Sequence, residues 1–81
     1  MSKIQSWQIL HVDGRIEERS EPCPDLDALQ AIVGGNIQIF YHGETPYVCN
    51  EDGREMRLPA NPNSPGTWDC VGVLIRGLEV D

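Results

Sequence analysis

Apolar and polar residues alternate at both ends of the chain, and between them the period lengthens once to that of a helix. Over residues 4–11, Trp7 and Ile9 fall on one face and only Leu10 breaks the alternation, which predicts a strand. Asp13-Gly14 follows, a pair that tolerates the positive φ angles of a tight turn, so the chain is expected to return as a second strand over residues 15–20. Ile16 is its main apolar residue, and Glu17-Glu18-Arg19 is polar. Glu21-Pro22-Cys23-Pro24 is expected to end that strand, because proline has no ladder donor. Leu26, Leu29, Ile32 and Val33 then recur at helical spacing. Pro24 suits the first turn of this helix, and Asp25 and Asp27 suit the positive end of its dipole. Gly34-Gly35 closes it, since glycine enters the left-handed region freely, so the helix is placed at residues 25–33.

Residues 36–42 predict a third strand with Ile37, Ile39 and Tyr41 on one face. Gly43-Glu44-Thr45-Pro46 breaks it, and residues 47–49 read as a short strand. Asn50-Glu51-Asp52-Gly53 reads as a type I turn closed by a bulge, with Gly53 at positive φ, and residues 54–58 are expected to pair back. Residues 59–66 are loop. Residues 70–76 give a last strand, with Val71, Val73 and Ile75 facing one way and Gly72, Leu74 and Arg76 the other. One helix cannot cover both faces of such a sheet. The expected class is therefore α+β: a single small domain over residues 1–81, with a twisted antiparallel sheet of about five to six strands and the helix packed on one face.

A chain of 81 residues makes one small core and leaves little room for a deep substrate cavity, so a binding surface is the more natural use of it. Thirteen acids against six Lys and Arg give a net charge of −7. That balance argues against direct binding to nucleic acid or an anionic membrane, where basic residues must neutralise phosphates. It suits a protein partner with a basic groove; solubility alone would also account for it. No stretch approaches the length of a membrane span. The start, Met1-Ser2-Lys3-Ile4, lacks the apolar run of an export signal, which predicts a cytoplasmic location. Cys23, Cys49 and Cys70, odd in number and widely spaced, do not make a disulfide framework.

Reaction chemistry finds little support. No two cysteines lie at zinc-knuckle spacing, so neither metal nor cofactor is expected. Cys49 and Cys70 read as buried small hydrophobes. His11 and His42 lie at strand ends, where they are more often solvated than catalytic. No acid lies in an apolar run that would desolvate a general acid. Gly34-Gly35-Asn36 follows a helix instead of preceding one and carries no lysine, so it is no phosphate loop. No catalytic residue is expected.

The acids matter more as a surface. Glu17, Glu18, Glu21, Asp25 and Asp27 are accompanied by one base, Arg19; Glu51, Asp52 and Glu55 are accompanied by Arg54. A row of exposed carboxylates can imitate a phosphate backbone and enter a cationic groove, or it can be no more than a solvated face. Trp68 follows a Pro/Gly loop and is either a core-edge residue or an interface anchor.

The order of turn residues in the last 50 residues carries a resemblance. Gly34-Gly35 precedes a strand, Asn50-Glu51-Asp52-Gly53 joins two more, Leu58-Pro59-Ala60-Asn61 follows, and Val71-Gly72 opens the last strand. This order resembles a small phage-encoded domain family of unknown function. The resemblance implies phage origin but supplies neither target nor binding residues. The chain departs from that family at Asn63-Ser64-Pro65-Gly66, which breaks a segment that is more helical there. Small size, acidity and this resemblance together lead to the expectation of a non-catalytic, anti-CRISPR-like inhibitor of a bacterial defence system. It would act as a monomer in the host cytoplasm and block a basic nucleic-acid groove, such as that of a CRISPR effector complex. The alternatives are a sponge for a nucleotide signal and a phage accessory or structural protein. Elemental analysis should find no zinc, and thiol titration of the unfolded protein should find three free thiols; one stoichiometric zinc would overturn the cysteine reading.

Overall fold

The computed structural model describes residues 3–80. The elements run β1 (Ile4–Leu10), β2 (Ile16–Pro22), α1 (Leu26–Val33), β3 (Ile37–His42), β4 (Thr45–Asn50) and β5 (Leu74–Arg76). Five strands form one sheet in the order β2-β1-β5-β4-β3, with every neighbouring pair antiparallel. The α+β class holds. The strand nearest the C-terminus is the central one, which explains why Leu74 and Ile75 are both fully buried although they point to opposite faces.

On one face, Trp7, Ile9, Val48 and Ile75 pack with Leu29 and Val33 of α1 and with Leu78. The helix starts where its sequence signals lie: Asp25 is the N-cap, and its carboxylate accepts from the Ala28 N–H at 2.8 Å. Pro24 therefore precedes the cap instead of occupying the first turn. Gly34 ends the helix at φ 83° and donates its N–H to the Gln30 carbonyl.

The opposite face is covered by chain that has no regular structure. Leu10, Tyr47 and Leu74 are buried there, with Phe40, Cys49 and Cys70 packed against them. Residues 51–73 lie over this cluster and are fixed by Asn61, one of two buried polar residues among those described. The Asn61 amide donates to the Leu10 carbonyl at 2.8 Å and to the Gly72 carbonyl at 2.9 Å, and its oxygen accepts from the Asn63 N–H at 2.9 Å. Asn50, the other, donates to the Val33 carbonyl at 3.2 Å and accepts from the Asp52 N–H at 2.8 Å, joining the end of α1 to the end of β4.

Several expected boundaries move. β2 continues through Glu21 to Pro22, which pairs with Ile4. It is an edge strand, so the missing proline donor can face away from the ladder. Pro46 belongs to β4 and does not break it: its carbonyl accepts from Gly77, so its nitrogen faces the same side, where β5 has already ended at Arg76. Residues 54–58 do not pair back. Asn50 captures the Asp52 N–H, and the chain curls into a helical turn in which Met56 donates to the Asp52 carbonyl. Gly53 does not hold a positive φ; Arg57 does, at 55°. Glycine is required at 53 for space, because a Cβ there would lie 2.9 Å from Val71 Cγ2. Gly72, at φ 76°, cuts the last strand to three residues and leaves Val71 only an isolated bridge to Ala60. Ile39 and Tyr41 share the helix-side face as expected, but they lie on the edge strand beyond the reach of α1 and are exposed at 45% and 53%.

Removal of the Asn61 amide leaves two carbonyls without their buried donor. Asn61→Ala is expected to lower unfolding free energy by about 2–4 kcal/mol in a denaturant titration. A loss below about 0.5 kcal/mol would mean the 51–73 segment is held by other contacts.

Candidate functional site

The eight acids expected to form one surface are divided by the sheet. Alternation along β2 sends Glu17 and Glu21 to the helix side and Glu18 to the other. Arg19 lies between Glu17 and Glu21 and pairs with both; its Nε donates to Glu17 at 2.7 Å and its Nη1 to Glu21 at 3.3 Å. The His11 ring donates Nε2–H to the second Glu17 oxygen at 3.0 Å. These donors, His11 first, hold the Glu17 carboxyl below its ordinary range. Arg19 also lies 6.0 Å from the Trp7 ring centre. On the far side, Glu18 accepts from Gln8 at 2.7 Å, and Gln8 accepts from Arg76 at 2.6 Å, a polar ladder across β2, β1 and β5. Asp25 is engaged as the helix cap, while Asp27 is exposed in the first turn. The β2 acids are thus engaged with the protein itself.

Glu51, Asp52 and Glu55 sit elsewhere, on the helical turn that follows β4. Among the described residues, ion pairs involve only His11, Glu17, Arg19 and Glu21, so this second cluster has no charged partner. Glu51 and Glu55 border an open groove of about 330 Å³, the feature that sequence patterning did not reveal. Phe40, Trp68, Cys49, Cys70, Asp69 and Arg54 complete much of its wall. Phe40 stacks on Tyr47 with ring centres 5.2 Å apart, and Trp68 stacks on Phe40 at 4.7 Å. Trp68 is nonetheless 46% exposed, which makes it an edge residue of the core and a wall of the groove at once. His42 meets Trp68 edge-on at 6.4 Å. Arg54 forms no ion pair with these acids and donates Nη2–H to the Asp69 carbonyl at 2.6 Å. Trp68 could be singled out from the sequence because it follows a Pro/Gly loop, but nothing in the pattern of β3 marks Phe40 as its partner.

Cys49 and Cys70 are half-buried, less enclosed than the core thiols expected. Burial pushes the Cys49 thiol above its ordinary range, and neighbouring Cys70 adds to that. Burial raises Cys70 as well, offset in part by its hydrogen bond with Ser64. Among the described residues, no three His, Cys, Asp or Glu side chains come together as a metal site. No helix there is long and apolar enough to cross a membrane.

Fold and site together define an acidic α+β domain with a committed charge network on one edge strand and an open aromatic groove near the other. The chain belongs to a family of domains of unknown function, DUF3846, whose pattern matches residues 7–75 and so takes in Trp7 and the whole groove. No curated protein and no solved structure matches it.

A raised thiol pKa means a smaller thiolate fraction at pH 8. Cys49 and Cys70 should therefore alkylate several-fold more slowly in the native protein than in denaturant, read by peptide mass spectrometry. Equal rates would place both thiols in open solvent.

Proposed function

We propose that this domain is a non-catalytic acidic module that occupies a basic, nucleic-acid-binding groove on a protein partner. The observation that carries this reading is the set of carboxylates on Glu51, Asp52 and Glu55, which have no ion-pair partner among the described residues of a chain with net charge −7. Unpaired exposed charge costs little in the free protein and gains most against a cationic surface. In its most specific form, the domain is a phage-encoded, anti-CRISPR-like inhibitor that works in the host bacterial cytoplasm and takes the place of nucleic acid on an effector complex. It binds no nucleic acid itself.

The groove of about 330 Å³ favours a second reading, a small-ligand binder. A nucleotide sponge is the weaker form of it, because Glu51, Glu55 and Asp69 at the groove would repel phosphates and Arg54 is directed to a main-chain carbonyl.

Reversal of Glu51, Asp52 and Glu55 to lysine should abolish capture of the partner from bacterial lysate. Reversal of Glu17, Glu18 and Glu21 should weaken it less, since those acids are already engaged. Capture should also fall steeply with salt, and the partner's DNA should compete for the same site. If both triple variants retain capture, or if DNA and protein bind together, the reading is wrong.

A further inference from the structure

We propose that the groove beside β3 is a receptor for an arginine side chain of the partner. This rests on the reading of the domain as an acidic module for a basic surface. Tyr47, Phe40 and Trp68 form a ladder of nearly parallel rings, with interplanar angles of 7° and 21°. The ladder ends at Trp68, which lines the groove and remains 46% exposed, so it stops at an indole with surface still open to solvent. A planar cation is the group that best continues such a stack.

The charge around the groove selects the same occupant. Glu51, Glu55 and Asp69 border it, against the single guanidinium of Arg54. Arg54 neither pairs with Glu51 nor with Glu55; its Nη2 is directed to the Asp69 carbonyl. Cys49 and Cys70 contribute neutral, polarisable walls. An incoming guanidinium can lie on the Trp68 ring while its N–H groups reach the Glu51 and Glu55 carboxylates. Lysine presents a compact ammonium that satisfies the carboxylates but does not stack as a plane. The groove therefore prefers arginine to lysine, and a basic nucleic-acid groove supplies arginines.

The test titrates the whole protein with tetra-arginine and tetra-lysine peptides at low salt, by calorimetry and tryptophan fluorescence. Trp7 is only 2% exposed, so a change in emission belongs to Trp68. Tetra-arginine is expected to bind roughly threefold to fivefold more tightly than tetra-lysine and to alter the emission. Trp68→Phe should remove the emission change and reduce the preference. If that variant is misfolded by circular dichroism, Glu51→Gln with Glu55→Gln serves instead: both residues are exposed, and binding should weaken about fivefold. Glu18→Gln, on the opposite edge strand, should change nothing. Equal affinity for the two peptides, or arginine binding without an emission change, overturns the proposal. If charge reversal at Glu51, Asp52 and Glu55 abolishes partner capture while the peptides bind alike, the acidic-module reading stands and the arginine receptor falls. If the arginine preference holds while partner capture ignores that reversal, the groove binds arginine but not the partner's, and the acidic-module reading and the partner as occupant both fall.

Discussion

The Asn61 side chain is the constraint on which one half of the structure depends. The helix brings its own hydrogen bonds to one face of the sheet. The other face is covered by residues 51–73, which join no strand of the sheet and satisfy their main chain through turns and the one Ala60–Val71 bridge. One buried amide gathers the end of β1, the Gly72 carbonyl and its own loop into a single arrangement. Over that arrangement Leu10, Tyr47 and Leu74 stay dry, and Trp68 is carried onto Phe40. A polar clamp and the Phe40–Trp68 stack together hold the loop that walls the groove. Apolar contacts alone would fix the loop's distance from the sheet but not its register along it.

How much of this was legible in the sequence depends on how local the determining physics is. The helix was readable because Asp25, the spacing of Leu29 and Val33, and Gly34 all act within a few residues. The Asp13-Gly14 hairpin was readable for the same reason: the Asp13 carboxylate accepts from the Arg15 N–H and Gly14 takes φ 93°. Local sequence does not decide the outcome where neighbours far along the chain set it. Whether Pro22 or Pro46 ends a strand depends on which side of the strand is paired, and that is a property of strand order. The turn after β4 departs from a hairpin because Asn50 directs its side chain at the Asp52 N–H and the Val33 carbonyl, contacts that alternation does not encode. The groove was not legible because its walls come from β3, β4 and the segment around Trp68, which only the finished fold assembles.

The charge inventory separates in the same way. A count of acids treats Glu17 and Glu51 alike. The structure gives the first three donors, from His11 and Arg19, and gives the second no ion-pair partner among the described residues. Charge that serves the fold and charge that remains for a partner have the same letters in sequence and differ in what surrounds them. The edge strand β2 is dense with internal pairs and ends in Pro22, which also blunts it against strand addition.

The position of β5 has a consequence for how the protein comes to be folded. Three residues near the end of the described chain join the β1–β2 hairpin to the β3–β4 hairpin, and they contact β1 across a separation of more than 60 residues. Until Arg76 has left the ribosome, the two hairpins have no shared ladder, and neither buries both of its faces. Closure of so long a loop must come before the two hairpins share a core, a long-range step that slows folding. Folding therefore waits for β5, and the interval before closure is the period in which the Ile39 and Tyr41 edge is most open to chaperones and to proteases.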